Sequence, residues 1–130
     1  MPLQRIDLLV GRSPSARKAI ADAIHQSLVE AVGVPEKDRF QIITQHERDG
    51  LLFAPEYLGV PHENPVLVQI TLNTGRTLEQ KQRLYQRMAE LAAAAGVSPN
   101  DLIVSLVEVT KEGWSFGDGK AQYAPAAPAT

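Results

Sequence analysis

The residue with the most distinctive chemistry is Pro2. A small second residue normally lets the initiator methionine be removed, and loss of Met1 would leave Pro2 with a free secondary amine. The reference amino-terminal pKa of about 7.7–8.0 places such an amine near neutrality. Burial lowers that value by disfavouring the cation, and a neighbouring carboxylate raises it. An amine tuned this way can act as general base, general acid or Schiff-base nucleophile. Met-Pro is also an ordinary way for a chain to start, so Pro2 needs partners. Carboxylates and arginines are the residue types that would serve, Asp38, Arg12 and Arg76 among them. Arginine grips a carboxylate through a planar fork with paired hydrogen bonds. Apolar rings around such a site would exclude water and strengthen every charge interaction inside it, and Trp114, Phe116 and Tyr123 are rings gathered in one stretch of the chain.

Each assignment has a plainer reading. Asp38 has a counterpart in Asp101, so it could be a strand-start residue. Arg12 and Arg76 are repeat partners, so one or both could serve the fold. Trp114 and Phe116 lie in EGWSFGDGK and could be packing or oligomer residues, and Tyr123 stands close to the tail. The histidines at 25, 46 and 62 show no metal-ligand spacing. His25 is expected on a helix surface, and Glu30, Glu47 and Arg48 read as solvated charges.

Composition narrows the field. A chain of 130 residues suits one domain that can bury its own core. It has no cysteine, so disulfides and thiolate chemistry are excluded, which fits a reducing, cytoplasmic setting. No apolar run approaches the roughly 18 residues that span a bilayer, and MPLQRIDLLVGR lacks the apolar core of a signal peptide. Formal net charge is -2 with the signs interspersed, so neither nucleic acid nor membrane is an expected partner. A small molecule is.

The elements that must position these residues come as one unit written twice, from Leu3 to His46 and from Val66 to Val109. Gly11-Arg12-Ser13 matches Gly75-Arg76-Thr77, Gly33-Val34 matches Gly96-Val97, and Asp38 matches Asp101. The offset changes by one residue inside the helical stretch. Each unit reads strand, helix, strand. Residues 3–10 alternate through Ile6, Leu8 and Val10, and Ser13-Pro14 supplies an N-cap with proline at the first helical position. Ile20, Ile24, Leu28, Ala31 and Val32 form the helix stripe before Gly33 and Pro35 end it. Residues 39–45 are the next strand. In the second unit, 66–72 is a strand and Thr77 caps a helix with Leu84, Met88, Leu91, Ala92 and Ala95 on its stripe. Gly96 ends that helix, and LIVSLVEV (102–109) closes the unit.

Parallel strands joined by a helix imply a four-stranded sheet with both helices on one face. LIVSLVEV is apolar on both sides, so the other face needs cover, and a closed oligomer would supply it. The connection 47–64 reads as a loop or hairpin, with Leu51-Leu52-Phe53 a possible edge strand or oligomer contact. The tail 124–130 is low in complexity and expected to be mobile.

Four stretches in this order resemble the tautomerase superfamily, and within it the malonate semialdehyde decarboxylase branch. They are MPLxxxDLxxGR at 1–12, VPEKDRFQI at 34–42, RTLEQKQRLY at 76–85 and WSFGDGKAQY at 114–123. The resemblance implies an α/β (α+β) tandem β-α-β fold over residues 1–123, with repeat units about 2–46 and 65–109. It also implies a homotrimer with no metal or organic cofactor. Pro2 matches the catalytic proline, Asp38 the acidic residue beside it, and Arg76 the second of two active-site arginines. The first of those arginines falls on Thr74, a departure from the pattern. Trp114, Phe116 and Tyr123 match the aromatic wall, with tyrosine where the decarboxylase has phenylalanine. Arg12 lies where simpler tautomerases carry a substrate-binding arginine.

Two chemistries then compete. A keto–enol tautomerase needs neutral Pro2 to take a proton alpha to a carbonyl. A decarboxylase or hydratase is helped by cationic Pro2, which Asp38 would favour. The expected function is a decarboxylase-like enzyme of small oxo acids with tautomerase side activity. A dedicated 2-oxo acid tautomerase, of 4-oxalocrotonate or phenylpyruvate type, is one alternative. A non-catalytic, oligomeric metabolite-binding module is another.

Overall fold

The structure, a computed structural model, describes residues 1–124; most of the tail expected to be mobile, 125–130, lies outside the described residues. Among the described residues, six strands and two long helices follow in order. They are β1 (Leu3–Leu9), α1 (Pro14–Val32), β2 (Phe40–His46), β3 (Glu56–Tyr57), β4 (Val60–Pro61), β5 (Val66–Asn73), α2 (Leu78–Ala94) and β6 (Leu102–Val109).

The repeat is visible in local geometry. Ser13 caps α1 at φ -69°, ψ 160°, accepting from the Ala16 N–H, and Thr77 caps α2 at φ -75°, ψ 161°. Thr77 and Gln80 form a reciprocal capping box, a device worth about 1 kcal/mol. Gly11 and Gly75, which precede the caps, hold φ of 129° and 120°, a region open to glycine and costly for other residues.

The main sheet has the order β2-β1-β5-β6. β1 pairs parallel with β2, β5 pairs parallel with β6, and the two units meet antiparallel along β1 and β5. Alternation along each strand then sorts the residues. Ile6 and Leu8 of β1 and Val66, Val68, Ile70 and Leu72 of β5 turn toward the helices. They pack on Ile20, Ile24 and Leu28 of α1 and on Leu84, Met88 and Ala92 of α2. Burying each of the larger side chains contributes about 1.5–3 kcal/mol, which dwarfs helix propensity as the force that holds α1 and α2 in place. The opposite face carries Phe40, Ile42 and Val107, which are exposed in the single chain.

Two expectations need correction. Leu51-Leu52-Phe53 forms no strand; the hairpin of the 47–64 connection is β3–β4, a few residues later. Leu58 (φ 50°) and Gly59 (φ 82°) occupy its two central positions, and a tight two-residue turn of this kind fits the strand twist. Glu30 is not merely solvated, because its carboxylate receives Arg87 Nε of α2 at 2.8 Å. That hydrogen bond ties the helices together and holds the Glu30 carboxyl below the usual range.

Candidate active site

The antiparallel join decides what can meet. Leu3 pairs with Phe40 on one side and Thr71 on the other, so β1 and β2 begin where β5 ends. β6 ends there too, because Asn73 pairs with Val109 and the Thr74 N–H donates to the Val109 carbonyl at 2.9 Å. Pro2, Asp38, Thr74, Arg76 and the chain after β6 therefore share one end of the sheet. This is the carboxyl end of the β5–β6 pair, the side on which α/β sheets tend to take ligands.

At that end Pro2 is buried and the chain terminus faces two partners. The Met1 nitrogen lies 3.7 Å from Asp38 Oδ2 and donates to the Tyr123 hydroxyl at 3.3 Å. The side chains of Met1 and Asp38 are only 11% and 20% exposed, so the pair is less screened than a surface ion pair. With Met1 in place the Pro2 nitrogen is a tertiary amide without a usable lone pair. Excision moves the free amine one residue along, a step of about 3.8 Å between Cα atoms.

The aromatic residues form a connected wall. Trp114 stacks on Phe116 with centroids 5.6 Å apart, and Phe116 meets Tyr123 edge-on at 4.9 Å. Trp114 is anchored by its indole N–H, which donates to Asn73 Oδ1 at 2.7 Å. The Asn73 carbonyl in turn accepts from Arg76 Nη1 at 2.9 Å. Asn73 thus joins the aromatic wall to the arginine. Gln122 folds the loop back on itself, accepting from the Phe116 N–H and donating to the Gly117 carbonyl, each at 2.9 Å. Neither Asn73 nor Gln122 stands out as a site element in the sequence alone. A polar amide inside a Gly-rich aromatic stretch was the available signal for Gln122; Asn73 offered only its place at the strand end.

Arg12 stands apart. It follows β1 out of the opposite end of the sheet, and its Nη2 reaches the Asn64 carbonyl at 3.5 Å. Within one chain it does not join Pro2. Thr74 is exposed at the rim of the Pro2 end. His25, expected on a helix surface, is buried at 5% exposure, and Nε2 contacts the Glu36 carbonyl at 2.7 Å. A 450 Å³ apolar groove lined by Phe53, Tyr57, Leu58 and Leu102 lies at the β3–β4 hairpin, away from Pro2. Among the described residues, no group of three or more His, Asp or Glu side chains is placed to hold a metal ion, and no helix is long and apolar enough to cross a membrane.

What the arrangement can do follows from its charges. A carboxylate and a phenol face the terminal nitrogen, rings border it, and a half-buried arginine stands at the end of the adjoining strand. That set can hold an anionic carbonyl compound and move a proton on it.

Known proteins carry the same plan. A family described as tautomerase enzyme matches residues 38–117, and a second so described matches residues 2–60. Two curated Bacillus subtilis (strain 168) proteins are similar over nearly their whole lengths. The probable tautomerase YrdN is 39% identical over 124 residues, spanning 95% of this chain and 96% of its own. The probable tautomerase YusQ is 38% identical, spanning 94% and 98%. Among solved structures, a malonate semialdehyde decarboxylase inhibited by 3-bromopropiolate superposes with a TM-score of 0.87 at 40% identity, covering 93% of each chain. A malonate semialdehyde decarboxylase described with decarboxylase and hydratase activities gives 0.86 at 35%, covering 93% of this chain and 95% of that one. With a family matched over most of its length, two relatives near 40% identity and the fold shared with both decarboxylases, this chain belongs to the tautomerase family.

Proposed function

We propose that the chain is an amino-terminal-proline enzyme acting on small oxo acids, most like malonate semialdehyde decarboxylase, with keto–enol tautomerase side activity. The observation that carries this reading is the Met1 terminal nitrogen, next in the chain to Pro2, 3.7 Å from the Asp38 carboxylate and hydrogen-bonded to the Tyr123 hydroxyl. After Met1 is excised, Asp38 favours the Pro2 cation. Arg76 receives the substrate carboxylate, and cationic Pro2 donates to the carbonyl oxygen. As the carbon–carbon bond to that carboxylate breaks, carbon dioxide leaves and the electron pair forms the enol, whose oxygen takes the Pro2 proton. The enol then ketonises, taking a proton at carbon and returning the oxygen-bound one. Trp114 and Phe116 keep water from the developing charge. The amine carries the proton itself, so the proposed reaction calls on no cofactor. Thr74 in place of an arginine leaves one carboxylate-binding cation fewer, so the substrate is assigned by class.

A dedicated 2-oxo acid tautomerase is the second reading, favoured by the names of the two curated relatives. There neutral Pro2 would take the proton alpha to the carbonyl and return it to the other end of the enol system.

We further propose a homotrimer in the cytoplasm. The exposed apolar face with Phe40, Ile42 and Val107 supports self-association. The absence of cysteine supports a reducing compartment. Met1-free protein offered a panel of small oxo acids and followed by proton NMR tests the reaction. Carbon dioxide loss is expected from a 3-oxo acid, with slower ketonisation of a 2-oxo acid enol. Ketonisation alone would favour the second reading, and no turnover across the panel would contradict both.

A further inference from the structure

Asp38 lies on the seven-residue connection between α1 and β2, not on a strand, so ladder hydrogen bonds do not fix it. Its position depends on tethers. The Asp38 N–H donates to the Pro35 carbonyl at 3.0 Å, closing a turn over Pro35–Asp38. Inside that turn the Glu36 carbonyl accepts from His25 Nε2 at 2.7 Å. A carbonyl can only accept, so His25 must carry its proton on Nε2. After Asp38, Arg39 bonds Asp22 and Gln41, each at 2.7 Å, but through side chains open to water.

His25 is 95% out of solvent, and its Nδ1 is buried without a partner. Leaving a buried ring nitrogen unpaired costs at least as much as one hydrogen bond returns, so stability alone favours an apolar residue there. What the imidazole adds is a rigid donor, fixed in the core, aimed at the turn that carries Asp38.

We propose that His25 is a positioning residue, holding the Pro35–Asp38 turn so that the Asp38 carboxylate faces the terminal amine. The proposal rests on the reading of Pro2 and Asp38 as amine and partner. His25 touches neither substrate nor amine; it acts through Asp38. Among the described residues, the other group facing the terminal nitrogen of Met1 is the Tyr123 hydroxyl.

The test uses full-length, Met1-free protein labelled with 15N-proline. The amino-terminal nitrogen is the one proline nitrogen that titrates, so its apparent pKa reads the carboxylate beside it. Asp38→Asn should lower that pKa. His25→Leu should lower it in the same direction by about half as much, with kcat falling roughly 5- to 10-fold and KM little changed. His25→Gln, which keeps an N–H donor at similar reach, should restore both. A folded His25→Leu protein with the wild-type titration, beside an Asp38→Asn protein that shifts, would overturn the proposal. No shift in Asp38→Asn would overturn the amine–carboxylate reading itself, and His25 with it. Should His25→Leu fail to fold, the tautomer in the wild-type protein decides. Nitrogen–proton correlation should find His25 protonated on Nε2; a proton on Nδ1 would overturn the proposal.

Discussion

The two ends of the sheet are the same construction with different outcomes. At one end Pro2 opens β1, Asp38 precedes β2, and Arg76 follows β5. At the other, Pro65 opens β5, Asp101 precedes β6, and Arg12 follows β1. Both prolines are buried. Asp101, 7% exposed, accepts from the Glu63 N–H at 2.9 Å, just upstream of Pro65. Asp38 meets the terminal nitrogen at 3.7 Å instead. The repeat therefore places an aspartate beside the chain entering each first strand. Asp38 contacts the Met1 nitrogen, whereas Asp101 contacts a backbone N–H. Arg12 is drawn to the Asn64 carbonyl, whereas Arg76 is held by Asn73, which also anchors Trp114. No amine is available at Pro65, whose nitrogen is an internal tertiary amide.

The comparison can be broken most sharply at the prolines. Pro2→Ala should lower kcat/KM by about 100-fold or more, in line with loss of a tuned acid–base group. Pro65→Ala should leave kcat/KM within about 2-fold and shift stability by about 1 kcal/mol or less. Steady-state kinetics and thermal melts of the two variants check this. The arginines come next. Arg76→Ala should raise KM for an oxo acid about 10- to 100-fold, the scale of one or two charged hydrogen bonds. Arg12→Ala should change KM much less; an equal rise would mean that a neighbouring copy's Arg12 enters the site.

The aspartates should divide stability from function. Asp101→Ala takes the charged acceptor from the part-buried Glu63 N–H and should cost about 1.5 kcal/mol in a denaturant melt. Asp38→Asn should leave the melt nearly unchanged and alter the pH profile of kcat. The smallest effect concerns pH. Hydrogen bonds from Lys18 and then Arg39 hold the Asp22 carboxyl below its ordinary value, and those from Arg87 do the same for Glu30. A depressed folded-state pKa contributes stability above the unfolded value, and that contribution is lost as pH falls through the folded one. The melting temperature should therefore drop slightly on acidification below the ordinary carboxylate range. Asp22→Asn and Glu30→Gln should flatten that drop.

Much of this was legible in the sequence because it was written twice. The cap residues Ser13 and Thr77, the matched glycines and the alternating strands specified both units within a residue or two. The 47–64 connection is legible as a loop or hairpin, but not the place of its turn at Leu58-Gly59, since a leucine at positive φ carries no turn signal. The candidate site was readable as residue types, not as a meeting place. That Pro2 and Arg76 share an end while Arg12 does not follows from the antiparallel join of β1 and β5, a long-range pairing with no local signature. His25 was misplaced on the surface because helical spacing alone does not say that a polar residue has found a backbone carbonyl to bond.

The most direct test of the central claim is where a halogenated propiolate attaches. Met1-free protein treated with 3-bromopropiolate should lose turnover as one adduct forms, and peptide mapping should place that adduct on the Pro2 nitrogen. Full turnover by protein that retains Met1, or inactivation with the adduct on another residue, would contradict the account.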